Sequence, residues 1–588
     1  MEDDIVLLKF GSSVLRTPNE LPGAVHEIYR WYRDGHRVIA VVSAIGDTTN
    51  QLLAAGRALT ESPEPYALAE LLATGERESA ALLGIGLDRA GIRARVVDPR
   101  EIGLVALGTV LDSEPVNVNR ERLRAFLAVS AVLAVPGFFG FDEKQRLHLL
   151  GRGGSDLTAV FLAAATNASR CRLVKDVDAV YEADPATALA RRPRRFAALN
   201  YAQALESAGP LIQPKAVHFL DRQQRNAEVA ALARGYESLV GDCPTAMSEV
   251  TVAPPTRVVL LGLGTVGGGV HQRLVAIPEH FTVVGLFVKS RSHHTAQGIP
   301  DSLLFTDEAP LKEIDADMVV DALPGLEPSL TLHAAFLARG IDVVTANKVV
   351  IAQSGQELQA VADRHGAKLR YSAAVGGSAP MIETVRRHAA STGIASLTGI
   401  LNGTCNFVLE QCQQGLNLQE AVREAQRRGL AEADVSEDLS GRDSARKLQI
   451  LARHAFGRDI DTMAVEGIDE QKLKKLMAKA NEAQAVLLSG TAELADGRVH
   501  ARVRLELVGE RHVLANVNGD WNALAITLAG GETVLITGRG AGRWPTTEAV
   551  IADLLELRRE RSVDRQVRSA FAACSSADLT SSPETNST

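Results

Sequence analysis

Arg257-Val-Val-Leu-Leu261 is a short apolar run that stops at Gly262-Leu263-Gly264-Thr265-Val266-Gly267, and an amphipathic stretch begins at Val270. This order restricts the fold more than any other stretch of the chain: it reads strand, tight turn, helix, the opening unit of a Rossmann-type dinucleotide-binding domain. The first glycine permits the turn, the second lets backbone approach a pyrophosphate, and the third lets helix and strand pack closely, with the phosphates on the helix N-terminus. Gly262, Gly264, Thr265, Val266 and Gly267 are therefore candidate cofactor-binding residues. The next expected strand, 281–288, runs into Lys289-Ser290-Arg291. An NAD site usually places an acid there for the ribose 2′-hydroxyl. Lys289 and Arg291 suit a 2′-phosphate instead, which favours NADP(H), with NAD(H) as the alternative. A solvated turn would need no ligand for the same residues, and that reading stays open.

A second glycine-rich run, Gly151-Arg152-Gly153-Gly154-Ser155-Asp156, lies in the first half. There, apolar stretches at 5–8, 38–42 and 132–135 alternate with helical patterns, the arrangement expected of an α/β sandwich. Two active sites on separate domains follow. The chain has no G-x-x-x-x-G-K-[ST] loop, so phosphates must be gripped otherwise. Lys9-Phe-Gly-Ser-Ser13 follows a strand and combines an ammonium with glycine and hydroxyls, a group that can meet an anion through side chain and backbone together.

At 588 residues the chain exceeds one ordinary core and calls for roughly two to four domains. A net charge of −8 argues against nucleic acid as a partner; the run Arg191-Arg192-Pro193-Arg194-Arg195 reads as a solvated or anion-facing loop. Cysteines at 171, 243, 405, 412 and 574 form no C-x-x-C pair. That usage fits a reducing compartment. The acidic N-terminus lacks the character of a secretory signal, and no apolar run is long enough to span a bilayer. A cytoplasmic protein, complete without processing, is expected. Residues 246–256 read as a linker, and the polar segment from Cys574 onward as a disordered tail.

The second half carries Thr345-Ala-Asn-Lys348, Asn402-Gly-Thr-Cys-Asn406, the run Glu432 to Lys447, and Gly538-Arg-Gly-Ala-Gly542 followed by Thr546-Thr547. Over roughly 257–557 this series resembles homoserine dehydrogenase. The resemblance implies NAD(P)H-dependent, reversible reduction of aspartate 4-semialdehyde to homoserine. Hydride delivery to an aldehyde builds negative charge on its oxygen, so a nearby ammonium can stabilise that charge and supply a proton; Lys348 and Lys447 are the candidates. Asp443 and Lys447 stand four apart in a helical stretch and share one face. By resemblance, Glu432 and Asp438 hold the substrate ammonium or a water, and Thr345, Asn347, Lys348, Gly540 and Gly542 belong to the cofactor pocket. Val435 stands where the family often has Pro. Residues Val375 and Gly377 sit in a segment similar to a loop that binds a monovalent cation through backbone carbonyls, but Ser372 replaces the usual Glu. Cys405 could be imagined as the nucleophile of a thioester-forming semialdehyde dehydrogenase; no base stands beside it in sequence, and it reads as a small buried residue.

In the first half, Lys9-Phe-Gly-Ser-Ser13, Val41 to Asn50, Gly75-Glu-Arg77, Gly151 to Asp156, Lys175 to Tyr181 with Asp184-Pro185, and Gln213-Pro-Lys215 occur in order. Across 1–245 this set resembles aspartokinase, a member of the amino-acid kinase fold. The resemblance implies transfer of the γ-phosphoryl group of ATP, with Mg²⁺, to aspartate. The nucleophile is already ionised, so lysines that screen charge are the main requirement. Lys9 and Lys215 are candidates; Glu76 and Arg152 would bind the ammonium and α-carboxylate of aspartate. Asp156 would orient Lys9 or Mg²⁺. Gly11, Ser12, Ser13, Ser43, Gly153, Ser155, Asp176, Asp178 and Tyr181 complete the substrate and nucleotide set. The chain departs from the usual K-F-G-G-T-S by one residue fewer, and Lys175 and Ala179 replace the common Thr and Gly. An active kinase and a silent ligand-sensing or oligomerisation module both remain open for this half.

The expected fold is thus an α/β chain: an amino-acid kinase α/β/α sandwich at 1–245, a linker at 246–256, a Rossmann domain at 257–385, an α+β catalytic and dimerisation domain at 386–557, and a C-terminal helix end and disordered tail at 558–588. Too few residues separate Lys215 from Arg257 for the ACT regulatory domains usual in such fusions, so feedback by threonine or lysine is expected to be weak or absent. Aspartyl phosphate is not the substrate of the second site, since a separate reductase must intervene. The expected partners are these small molecules, further copies of the chain and, as docking, that semialdehyde-forming reductase, with neither nucleic acid nor membrane.

Overall fold

The computed structural model describes residues 4–187, 193–209, 211–233, 235–249, 253–481 and 484–577, with side chains as far as 561. It divides into two compact units, one of residues 1–251 and 375–548, the other of 252–374 and 549–588. The first unit therefore joins the N-terminal sandwich to the second half's catalytic region. The second holds the glycine-rich turn at 262–267.

In the first unit a nine-stranded sheet has the order Ala246–Ser248, Arg195–Leu199, Glu237–Val240, Ala227–Ala231, Arg170–Lys175, Ile5–Phe10, Arg37–Val42, Val132–Pro136, Ala94–Val96. Its neighbours from Ala227–Ala231 to Ala94–Val96 are all parallel. Ile5–Phe10 is buried at every position, as a parallel strand covered on both faces must be. Leu7, Ile39, Val41, Leu133 and Leu173 share one core with Leu157, Val160 and Leu162 from the helix Gly154–Thr166. Lys9 and Lys175 stand at the C-terminal ends of adjacent strands, where ligands of open α/β sheets bind.

The expected linker contributes to this sheet: Ala246–Ser248 pairs antiparallel with Arg195–Leu199 as an edge strand. Between Lys215 and Arg257, three strands of the described residues complete the sandwich. Arg191 and Arg192 lie outside the described residues, but the rest of their run is engaged internally. Arg194 pairs with Glu182 at 3.1 Å, and Arg195 lies 3.8 Å from the Tyr236 ring centroid and donates to Ser248 Oγ at 2.9 Å.

Also in the first unit, the order Thr462–Val465, Arg498–Gly509, Gln484–Ala495, Ile394–Ile400, Trp521–Leu528, Thr533–Arg539 forms a six-stranded sheet. The helices Gly403–Gln413 and Arg442–Phe456 pack on it.

The second unit has six parallel strands in the order Leu304–Phe305, Phe281–Phe287, Thr256–Leu261, Met318–Asp321, Asp342–Thr345, Leu369–Arg370. The first strand in sequence is third in space, with the order reversing beside it, as in a Rossmann fold. The C-terminal helix runs Arg543–Ala577, so the polar tail expected from Cys574 is helical to residue 577; 578–588 lie outside the described residues. From Ala549 this helix belongs to the nucleotide-binding unit, where Arg561 reaches Asp342 at 2.6 Å and Arg558 donates to Pro254 O at 2.9 Å. Among the described residues no helix is long and apolar enough to cross a membrane.

Candidate active sites

The three glycines of the dinucleotide turn meet three different conditions. Gly262 takes φ +92°, a left-handed conformation that favours glycine. A Cβ at Gly267 would collide with the Gly262 carbonyl, so the helix Thr265–Val275 rests directly on the turn. A Cβ at Gly264 would meet nothing within 4 Å, leaving that side of the loop open for a ligand. Thr265 and Val266 form the first turn of the helix. Lys289 and Arg291 are both exposed, but the Arg291 guanidinium donates to Leu304 O at 2.7 Å and pairs with Asp301 at 3.3 Å. Arg291 is therefore a turn-stabilising residue as well as a cation.

Across the switch point, fully buried Asp321 accepts from Thr345 Oγ1 at 3.1 Å and Ser329 Oγ at 3.2 Å, and its Oδ2 lies 2.9 Å from His333 Nε2. Asn347 caps the helix Lys348–His365 and donates to the Leu323 and Gly325 carbonyls at 3.1 and 2.7 Å. Its amide thus shapes the loop that follows Met318–Asp321. Lys348, half-buried, opens the helix. The cation-loop residue Ser372 gives its Oγ to Asp553 at 2.8 Å and its N–H at 3.1 Å.

In the first unit the helix Arg442–Phe456 buries both Asp443 and Lys447. Lys447 Nζ lies 2.9 Å from Asp443 and donates to Leu401 O at 2.7 Å. Asn402, which was not singled out from the sequence, joins the two carboxylates: its Nδ2 donates to Asp438 at 2.7 Å and to Asp443 at 2.8 Å. Its Oδ1 accepts from Cys405 N at 2.8 Å and caps the helix Gly403–Gln413. Asn522, also missed, donates to Leu401 O at 3.1 Å. An Asn immediately before a helix-forming run is a cap signal, and it would have found Asn402; nothing local marks Asn522. Glu432 is exposed, and its carbonyl accepts from Gln426 at 3.0 Å. Burial raises the Cys405 thiol well above its ordinary range, reinforced by Asp438 and Asp443, which removes it as a nucleophile.

Gly540 packs so closely on Asn522 that a Cβ would strike its amide, and Gly542 takes φ +110°. The turn at Val375 and Gly377 lies against the same strand end: Ser378 N donates to Arg539 O at 3.2 Å.

The N-terminal site gathers at the C-terminal ends of the central strands. Asp156, in the first turn of Gly154–Thr166, lies 2.8 Å from Lys9 Nζ. Both of its oxygens also accept from Lys175, at 3.1 and 3.0 Å. Lys175 was noted in the sequence only as a departure. Both Asp156 oxygens therefore accept from ammonium groups, an arrangement that fits lysine positioning. Glu76 is buried in Pro65–Arg89, and among the described residues its Oε2 has no hydrogen-bond partner. Burial pushes its carboxyl up to about 8, opposed by Lys9 and the Ala44 N–H. Lys215 pairs with Asp112, donates to Leu150 O at 3.3 Å and borders Gly151. Gly151 and Gly153 take φ +75° and +77°, which makes the turn before Ser155 and Asp156. Arg152, Ser12, Ser13 and Asp176 are exposed, Gly11 is buried, and Ser43 is half-buried with its N–H on Phe10 O at 3.0 Å. Tyr181 OH donates to Asp178 at 2.7 Å.

A dinucleotide-type fold and a buried ammonium held by a carboxylate fit a nicotinamide-dependent oxidoreductase, here joined to a kinase-type sandwich with lysines at the C-terminal ends of its central strands. The family models agree: "Amino acid kinase family" matches residues 4–230, "Homoserine dehydrogenase, NAD binding domain" 262–372, and "Homoserine dehydrogenase" 380–555. A homoserine dehydrogenase from Synechocystis sp. is 34% identical over 315 residues, which cover 51% of this chain and 73% of the relative. One from Lactococcus lactis is 31% identical over 320 residues, 52% and 75%. A crystal structure of a homoserine dehydrogenase from Thiobacillus denitrificans aligns at 35% identity and a TM-score of 0.48, covering 53% of this chain and 74% of that one. The chain belongs to the homoserine dehydrogenase family and carries an amino acid kinase domain ahead of it.

Proposed function

We propose that this is a bifunctional enzyme that reduces aspartate 4-semialdehyde to homoserine with NADPH in its second half and phosphorylates aspartate with Mg²⁺·ATP in its first. The observation that carries the reading is Lys447, a buried ammonium fixed by Asp443 and the Leu401 carbonyl. Reduced nicotinamide supplies the hydride when bound, and the open side of Gly264 fits its pyrophosphate. Lys447 stabilises the charge that develops on the aldehyde oxygen and gives that oxygen its proton; in reverse it takes the hydroxyl proton. Lys348 is the second amine of the set. Asp438 and Glu432 receive the substrate ammonium. Val375 and Gly377 are proposed only as carbonyl donors to a monovalent cation.

In the kinase half, Lys9 screens the approach of carboxylate to phosphoryl group and Lys215 assists beside the Gly151 turn. Glu76, unpartnered at Oε2, receives the substrate ammonium, and Arg152 forks its α-carboxylate. Magnesium enters with the nucleotide. Two coupled assays on the full chain test both halves: NADPH consumption dependent on semialdehyde, and ADP formation dependent on aspartate. Absence of the first sinks the dehydrogenase reading. Absence of the second, with the first intact, leaves the first half a silent module.

The preference for NADPH rests on Lys289, since Arg291 is tied to Asp301 and Leu304. Lys289→Glu should lower kcat/KM for NADPH by about 10–100-fold while sparing NADH, the loss of one charge-assisted contact; equal losses with both cofactors would contradict it. Five unpaired-pattern cysteines support a cytoplasmic, reducing location. Homo-oligomerisation and docking of the intervening reductase complete the reading, and co-purification with that reductase above a control protein tests the latter.

A further inference from the structure

Asp156 holds two ammonium groups, and the function proposed above employs one. Lys9 and Lys175 end adjacent parallel strands, Ile5–Phe10 and Arg170–Lys175, in a register that pairs Lys9 with Leu173. Both emerge at the C-terminal end of the sheet and converge on one carboxylate, Lys9 at 2.8 Å and Lys175 at 3.0 Å. Their side chains are only 7% and 8% exposed, that of Asp156 3%.

Two cations against one anion leave surplus positive charge in a nearly closed site. Such a charge is costly unless an anion completes it. Glu76, which faces Lys9, does not supply that anion at neutral pH, because burial pushes it up to about 8. Asp176, next in the chain, also acts on Lys175 electrostatically, but it is exposed, where solvent screens its charge. The site is therefore built for an incoming anion.

We infer that Lys175 is a catalytic residue of the kinase half, its ammonium meeting the phosphoryl group in flight jointly with Lys9 across their shared Asp156. The inference rests on the kinase reading above. In the step, a side-chain carboxylate oxygen of aspartate attacks the γ-phosphorus, and an O–P bond forms. The bond from that phosphorus to the β,γ-bridging oxygen breaks, with its electron pair leaving on ADP. No proton moves, and both lysines remain ammonium groups throughout. Their task is to offset repulsion between nucleophile and phosphoryl oxygens and to spread the charge of the transition state.

Lys175→Met and Lys175→Thr in the full chain test this. Both should lower the kinase kcat about 100-fold and weaken binding of Mg²⁺·AMP-PNP about tenfold. The KM for aspartate should stay within about threefold, and NADPH-linked turnover of the same polypeptide should be unchanged. Either variant keeping kcat and nucleotide affinity within about threefold of the parent overturns the role of Lys175 while leaving the kinase reading in place. A parent chain that neither phosphorylates aspartate nor binds Mg²⁺·AMP-PNP removes the kinase reading and the inference with it.

Discussion

At the scale of single residues, both sites solve one problem, holding an ammonium in a dry place, and they solve it with a carboxylate. Lys447 is 6% exposed and Asp443 2%. Removing the amine leaves Asp443 buried without its cation, and the aldehyde oxygen without a proton source. Lys447→Met should therefore reduce dehydrogenase kcat by about 100–1,000-fold, with cofactor affinity little changed and ADP formation by the other half as the control for folding. A kcat within tenfold of the parent would reassign the proton to Lys348. Glu76 poses the opposite problem, a carboxyl with burial against it. Its charged form is needed to receive an ammonium, and burial delays ionisation to about pH 8. Lys175 must stay protonated, yet burial and Lys9 bring it down to about 8. The kinase kcat/KM for aspartate should rise with an acid limb from Glu76, fall with a basic limb from Lys175, and peak near pH 8 as a narrow bell. Glu76→Gln should abolish the acid limb and raise the aspartate KM by about 10–100-fold; an unmoved limb would place that titration elsewhere. The linkage has a definite sign: between its ordinary 4.5 and about 8, the folded chain holds a proton on Glu76 that the unfolded chain has lost. Its contribution to stability is thus present at low pH and lost as pH rises through that window.

At the scale of elements, the start of the helix Gly403–Gln413 fixes the dehydrogenase acids. Asn402 caps that helix with its oxygen and bridges Asp438 and Asp443 with its nitrogen. Asn402→Ala removes the cap, worth about 1 kcal/mol, and also the donor between two carboxylates. Turnover should fall about tenfold as Asp443 loses the partner that orients it, and the thermal midpoint should drop. Asn402→Ser keeps an N-cap oxygen and should restore stability but not turnover; recovery of both would make the bridge irrelevant. Position in sequence explains what could be read beforehand. Gly262, Gly264 and Gly267 carry their roles in local backbone geometry, and Asp443 with Lys447 is an i,i+4 pair. Asn522 meets Leu401 across 121 residues, and no local pattern encodes that contact. Lys175 looked like a mere departure because its significance lies in an adjacent strand. Ala246–Ser248 is too short, at three residues, to announce itself as a strand; only the waiting edge of Arg195–Leu199 makes it one.

At the scale of the whole molecule, the kinase sandwich and the dehydrogenase catalytic region share one compact unit, and particular contacts join them. Arg33 donates to Glu383 at 3.2 Å, Tyr32 to Thr537 O at 2.9 Å, and His26 Nδ1 lies 3.0 Å from Glu548. A further contact is Gly91, whose carbonyl accepts from Ser378 Oγ at 2.9 Å. From there the path is short: Ser378 N bonds Arg539 O, Gly540 packs on Asn522, and Asn522 shares the Leu401 carbonyl with Lys447. Gly91 also takes φ +76°, and a Cβ there would come within 2.8 Å of Arg539 Cβ. Gly91→Ala combines backbone strain with a push on the Ser378 turn, at a cost of about 1–3 kcal/mol, or roughly 2–10 °C in thermal midpoint. Although Gly91 lies in the kinase half and touches no substrate, its substitution should lower semialdehyde turnover several-fold while ADP formation changes less. Calorimetry and both assays on one preparation decide the matter. A dehydrogenase rate indifferent to Gly91→Ala, with the midpoint lowered, would mean that the two halves share stability but not function.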